Sequence, residues 1–209
     1  MFLALIALLV STAGLGPNIT NPYWPMPPGT RWVYRDGATQ RNAVTVLKRT
    51  DTIDGVQTRV VHDVVYAHGK VVEDTIDWYA QDAKGNVWYM GEATKEYSGG
   101  HVSTEGSWKA GVDGAQPGIV VPAHPAVGAS YRQEYLKGHT EDEARNMSLD
   151  EQVRVPAGHY THVFMTRETT RLEPKALEYK YYARGVGPVL AVSVSPTLDF
   201  ERLIRIIRP

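Results

Sequence analysis

The sequence predicts an all-β fold, a single antiparallel, meander-rich domain whose sheet curves into a half-barrel or barrel. Three observations predict it. Short runs rich in Val, Ile, Thr, Tyr and Trp recur along most of the chain, several with alternating polarity. Glycine-bearing turn signals such as Asp54-Gly55 fall between these runs. No stretch sustains helical periodicity beyond about three turns, and strands of this number and length suit a closed or strongly curved sheet.

The chain opens with a continuous apolar run, Phe2 to Val10, followed by the small residues Ser11, Thr12, Ala13 and Gly14. Such a run is too short for a membrane helix, which needs about 20 residues. It matches the apolar region of a secretory signal, with Ser11 and Ala13 at the −3 and −1 positions, although Met1 brings only its α-amino charge. Residues 1–16 are therefore read as a leader, and the mature protein is expected to be secreted or extracytoplasmic. The absence of cysteine excludes both a thioether lipid anchor and disulfide stapling. Stability must come from a core, which the remaining ~190 residues are long enough to build.

Composition excludes some functions. With 43% hydrophobic and 22% charged residues the chain is ordinary globular material. Its formal net charge of −1 and lack of a Lys/Arg stripe argue against nucleic-acid binding. No later segment reaches a transmembrane span.

Residues 17–30 hold Pro17, Pro22, Pro25, Pro27 and Pro28 around Tyr23 and Trp24, an extended lead-in whose aromatics should lie on the domain. The β domain then occupies 31–209. Predicted strands cover Trp32 to Arg35, Ala43 to Ile53, Val56 to Tyr66, Val71 to Asp82 and Asn86 to Glu92. Gly99 to Pro125 reads as a long ordered loop with one strand at Ile119-Val120-Val121, placed to act as a cover. Tyr131 to Leu136 follows, then a charged stretch from His139 to Glu151 whose carboxylates read as a solvated loop or edge. Gln152 to Val155, Tyr160 to Thr170, Leu177 to Ala183, Pro188 to Val194 and Phe200 to Ile207 complete the series.

The hairpin from Asp77 to Met90 can be registered residue by residue. A three-residue loop with Gly85 in the left-handed conformation pairs Ala80 with Trp88, Tyr79 with Tyr89 and Trp78 with Met90. One face then carries Ile76, Trp78, Ala80, Trp88 and Met90, and this is the predicted core face. The same logic at Ala67-His68-Gly69 pairs Val64 with Val72, His62 with Asp74 and Val60 with Ile76. It sets His62 beside Asp74 on the buried face, with Glu92 nearby.

These residues make the candidate ligand-binding site: His62, Asp74 and Glu92, with Trp78, Trp88 and Trp108. A buried His–carboxylate group can orient a ligand, bind a metal or act as a base. The pair His159 and His162 is not chelating, because strand residues three apart face opposite ways. No nucleophile elbow, phosphate loop or calcium loop is present, and no cofactor is implied.

The hairpin, the block Gly106-Ser107-Trp108-Lys109-Ala110-Gly111-Val112-Asp113-Gly114-Ala115, the following Pro117-Gly118-Ile119 and the run Tyr181-Tyr182-Ala183-Arg184-Gly185-Val186-Gly187 resemble a family of uncharacterised exported bacterial proteins. That resemblance implies export and an antiparallel β domain, and it brings no catalytic residues. Many such relatives look like lipoproteins, from which this chain departs by lacking the anchor cysteine. The leading expectation is an exported domain that binds a small or lipid-like ligand without catalysis. A structural or interaction module with a partner in the cell envelope is the alternative. A hydrolase using His62 with Asp74 or Glu92 is the weaker one.

Overall fold

The computed structural model describes residues 14–209. The leader assigned to 1–16 lies, up to Ala13, outside the described residues. The first half is a meander of long strands: β1 (Arg31–Asp36), β2 (Gln40–Ile53), β3 (Val56–Ala67), β4 (Lys70–Gln81) and β5 (Val87–Ser98). The glycine-rich segment contributes three short strands rather than one, β6 (His101–Ser103), β7 (Trp108–Lys109) and β8 (Gln116–Val121). All three pair with β5. After β9 (Ser130–Arg132) and β10 (Glu134–Tyr135), a second meander runs through β11 (Asp142–Val155), β12 (Gly158–Thr170), β13 (Leu177–Ala183), β14 (Gly187–Ser195) and β15 (Asp199–Ile207). The pairing of β15 with β1 joins the two meanders, and no helix occurs among the described residues.

One short segment turns this sheet into a nearly closed barrel. β10 pairs with β8 at one edge, while β9, two residues earlier, pairs with β11 at the other. Between them the Gln133 amide donates to the Asp142 carbonyl at 2.8 Å. Residues 130–135 therefore supply backbone partners to both edges that would otherwise be exposed. Closure requires very close approach at Gly118, where a Cβ would lie 2.4 Å from the Arg132 carbonyl oxygen and 2.5 Å from Gln133. The charged stretch before Glu151 is part of β11 instead of a loop. Alternation explains this, because Ala144 and Asn146 point inward and are buried while charged neighbours face out.

Turn chemistry sets the hairpin registers. Asp54 and Gly55 both have positive φ, as a two-residue type I′ turn requires, and Ile53 pairs with Val56. His68 and Gly69 do the same, so that loop is one residue shorter than predicted and Ala67 pairs with Lys70. A bulge at Val72 adds a second residue of shift, which places Val64 opposite Asp74 and His62 opposite Ile76. Because the total shift is two, His62 and Asp74 still share one face of the sheet. In the next hairpin Ala80–Trp88 and Tyr79–Tyr89 pair as predicted, but Trp78 meets Gly91 rather than Met90. Met90 is the extra residue of a bulge, and Gly91, at φ 132°, permits Trp108 and Lys109 to pass against it.

The faces are assigned differently from the prediction. Tyr79, Tyr89 and Asp77 point into the barrel, whereas Trp78, Ala80 and Met90 lie on the other side. That outer face is nonetheless buried: Ile53, Val56, Val60, Trp78, Ala80 and Met90 pack beneath Ala110 and Ala115 of the glycine-rich segment. This is the cover anticipated for the long loop, applied to the side of the barrel.

The proline-rich residues 17–30 plug one end of the barrel. Ile19, Tyr23 and Met26 are buried with Phe164, Leu203 and Val189. The Gln81 side-chain oxygen accepts from the Thr20 and Asn21 amides, each at 2.8 Å, and across the mouth the Gly185 amide donates to Pro22. Trp24 descends furthest, with its ring 5.2 Å from that of Tyr79 and 6.2 Å from that of Tyr182.

Closure predicts a sharp difference between two glycines. Gly118→Val should cost more than about 2 kcal/mol of stability in urea unfolding, because backbone has to move. Gly106→Ala, where an added Cβ meets only the Thr94 side-chain methyl at 3.0 Å, should stay within about 1 kcal/mol.

Candidate functional site

Below the plug the barrel is not filled. A cavity of about 260 Å³ is lined by residues from β1 to β5, from β8, and from β10 round to β15. Its wall combines the rings of Trp24, Tyr34, Tyr79, Tyr89 and Tyr182 with aliphatic Val44, Val120 and Leu190 and a set of acidic side chains. Six carboxylates line it: Asp63, Asp77, Glu134, Asp142, Glu168 and Glu201, against one cation, Lys180. Asp142, Glu168 and Lys180 also line an adjoining groove with Thr170, Ser193 and Pro196, which marks the side where the cavity meets the surface.

The hydrogen bonds show how these groups are held. Tyr89 donates its hydroxyl to Asp77 at 2.7 Å, and Thr140 donates to Glu134 Oε1. Asn42 donates to Glu201 at 2.9 Å and, more weakly, to Asp63 at 3.4 Å. Lys180 lies 2.8 Å from Glu168 and 3.2 Å from Glu178, so its charge is already shared by two carboxylates. Asp63 Oδ1 is buried with no hydrogen-bond partner among the described residues, whereas Glu134 also has the Trp108 indole N–H beside it.

Burial dominates the ionisation of this set. It pushes Asp63 up to about 8, aided by the neighbouring Asp77 charge and opposed by Asn42. It raises Asp77 to about 7 against the stabilising Tyr89 bond, and Glu134 to about 7 against that of Thr140. Glu201 rises to about 7 for the same reason, with Asn42 opposing. Glu92, beside Asp77 on the inner face, rises to about 9 through burial and then through Asp77 and Glu134. Burial alone would lower Lys180, but Glu168 and Glu178 outweigh it and keep the ammonium protonated.

The structure separates the residues that the sequence grouped. His62 and Asp74 do meet, Nε2 to Oδ1 at 2.9 Å, but diagonally and on the outer face, with side chains 36% and 41% exposed. Glu92 is not with them. The bulge at Met90 carries it to the inner face opposite Asp77. Trp78 donates its indole N–H to Asp51 at 2.9 Å and Trp88 donates to Asp82 at 3.0 Å, both outside the cavity. Trp108 comes nearest: it meets the Tyr89 ring edge-on at 5.4 Å and backs the wall without lining it. Residues the sequence reading missed, such as Asp63, Glu134 and Lys180, converge from strands far apart in the chain. The one available signal was Asp77 alternating with Tyr79 in β4.

Two solved structures share this fold. One is a protein described as exported, with a YmcC-like fold, from Bacteroides fragilis NCTC 9343; it matches at TM-score 0.53 and 17% identity over 88% of this chain and 98% of its own. The other, described as a lipoprotein from Parabacteroides distasonis ATCC 8503, matches at TM-score 0.50 and 14% identity over 90% of this chain and 99% of its own. No family model and no curated protein matches the chain. At such identities the likeness is one of fold.

Two expectations follow. Carboxyls with folded-state values above their unfolded ones, near 4, bind protons more tightly when folded. Their stabilising contribution is complete below about pH 4 and is lost as pH rises through the 7–9 range of Asp63, Asp77, Glu92, Glu134 and Glu201. The melting temperature should therefore fall by at least about 5 °C between pH 5 and pH 9, and a flat profile would contradict these assignments. His62→Ala, by contrast, removes an exposed pair and should change stability by less than about 1 kcal/mol in denaturant titration.

Proposed function

We propose that this protein is an exported β-barrel domain that binds a small molecule inside the barrel, without catalysing its conversion. The observation that carries this reading is the cavity of about 260 Å³, walled by rings and hydrogen-bonding groups from strands around the barrel. Concave sites that combine apolar area with a few directed polar groups are the usual form of a small-molecule site. The apolar run at Phe2–Val10 and the exported character ascribed to one structural neighbour support placement outside the cytoplasm.

Within the earlier choice of a small or lipid-like ligand, the wall favours a small polar one. An acyl chain would bury six carboxyl groups against hydrocarbon without supplying any of them a hydrogen-bond donor. The hydrolase reading gains no support, since His62 and Asp74 lie outside the cavity. An envelope interaction module retains one supporting observation: the plugged end of the barrel is packed solid around Met26, Phe164 and Leu203.

Ala191 offers a direct test, because it lines the cavity opposite Glu201 and Lys180. Native mass spectrometry of the protein from its own host should show a bound small molecule on the wild type and none on Ala191→Trp. Bare protein in both cases, with identical thermal shifts across a small-molecule library, would sink the proposal.

A further inference from the structure

We infer that the ligand of the barrel interior is a small organic ammonium ion, seated among Asp63, Asp77 and Glu134 in the cavity they line. This deepens the small-molecule reading above and rests on it. The first support is the imbalance of charge: six carboxylates face the cavity, and its lone cation is committed to Glu168 and Glu178. The second is independent of that imbalance. Asp63 lines the cavity, and its Oδ1 is buried with no hydrogen-bond partner among the described residues. A buried acceptor without a donor is costly, and a ligand that brings N–H or polarised C–H donors removes that cost.

Other ligand classes fit less well. An anion would be repelled, and a neutral polyol would leave the carboxylates uncompensated. A divalent metal needs several convergent oxygen or nitrogen ligands, and no group of three His, Asp or Glu is so arranged among the described residues. An ammonium ion needs no tight coordination shell. It is stabilised by diffuse negative charge, which the carboxylates of this wall supply.

The test compares cations with uncharged molecules of the same shape. Isothermal titration at pH 8 should show choline binding at least about tenfold more tightly than 3,3-dimethyl-1-butanol, and butane-1,4-diamine more tightly than butane-1,4-diol. Glu134→Gln and Asp63→Asn keep the side-chain shape while removing charge, so they should fold with equal or higher melting temperature at pH 8. Each should weaken the cation by about tenfold or more, whereas His62→Ala should leave it unchanged. Equal affinity for charged and uncharged partners, abolished by Ala191→Trp, would overturn the ammonium assignment while keeping the small-molecule site. No binding of any of the four, together with bare protein from the native host, would overturn both. Tight calcium binding that excludes choline would overturn it in favour of a metal.

Discussion

Closure of the barrel through residues 130–135 is the constraint on which the remaining structure depends. A sheet of this length has two edges, each a row of unpaired amides and carbonyls. Here a single six-residue segment bonds both, to Gln116 and Pro117 on one side and to residues 142–145 on the other. Gly118 allows the backbones to pass at a distance no side chain tolerates. Once the ring is closed, strand alternation leaves no freedom: each residue points either into the barrel or out of it.

Closure then determines the chemistry. Side chains enclosed near the plug are apolar and pack densely, but those further down carry carboxylates that water can no longer solvate freely. Any two like unit charges at a separation of about 7 Å repel by roughly 2 kcal/mol even at an effective dielectric constant of about 20. Several of them together cannot all ionise at neutral pH unless positive charge joins them. One lysine supplies part of that charge, and its two direct partners account for it. The protein therefore keeps protons on the remaining acids or takes a cation from outside, and the same groups decide both.

Much of the fold was legible because it follows from local chemistry. Asp54-Gly55 and Gly85 announced their turns, and Ala80–Trp88 and Tyr79–Tyr89 paired as the alternation required. The inner face was not legible, because both faces of β4 and β5 are apolar enough to be buried. Trp78 and Met90 look like core, and they are core, but under the covering segment rather than inside the barrel. A single bulge residue at Met90 sent Glu92 to the opposite side from His62, and nothing local distinguishes Gly91 from any other strand glycine. The site itself depends on long-range convergence, since Asp63, Glu134 and Lys180 meet only when the ring closes. The proline-rich lead-in was readable as extended, whereas its role as a plug depends on a mouth that forms around it.

The central claim is that barrel closure buries an excess of acid around a cavity. Carbon-13 NMR titration of the side-chain carboxyls tests it most directly, residue by residue. The account predicts midpoints at about 7 for Asp77, Glu134 and Glu201 and about 8 for Asp63, each moving toward lower pH when choline is bound. Midpoints for these four near the ordinary value of about 4, unaffected by choline, would contradict it.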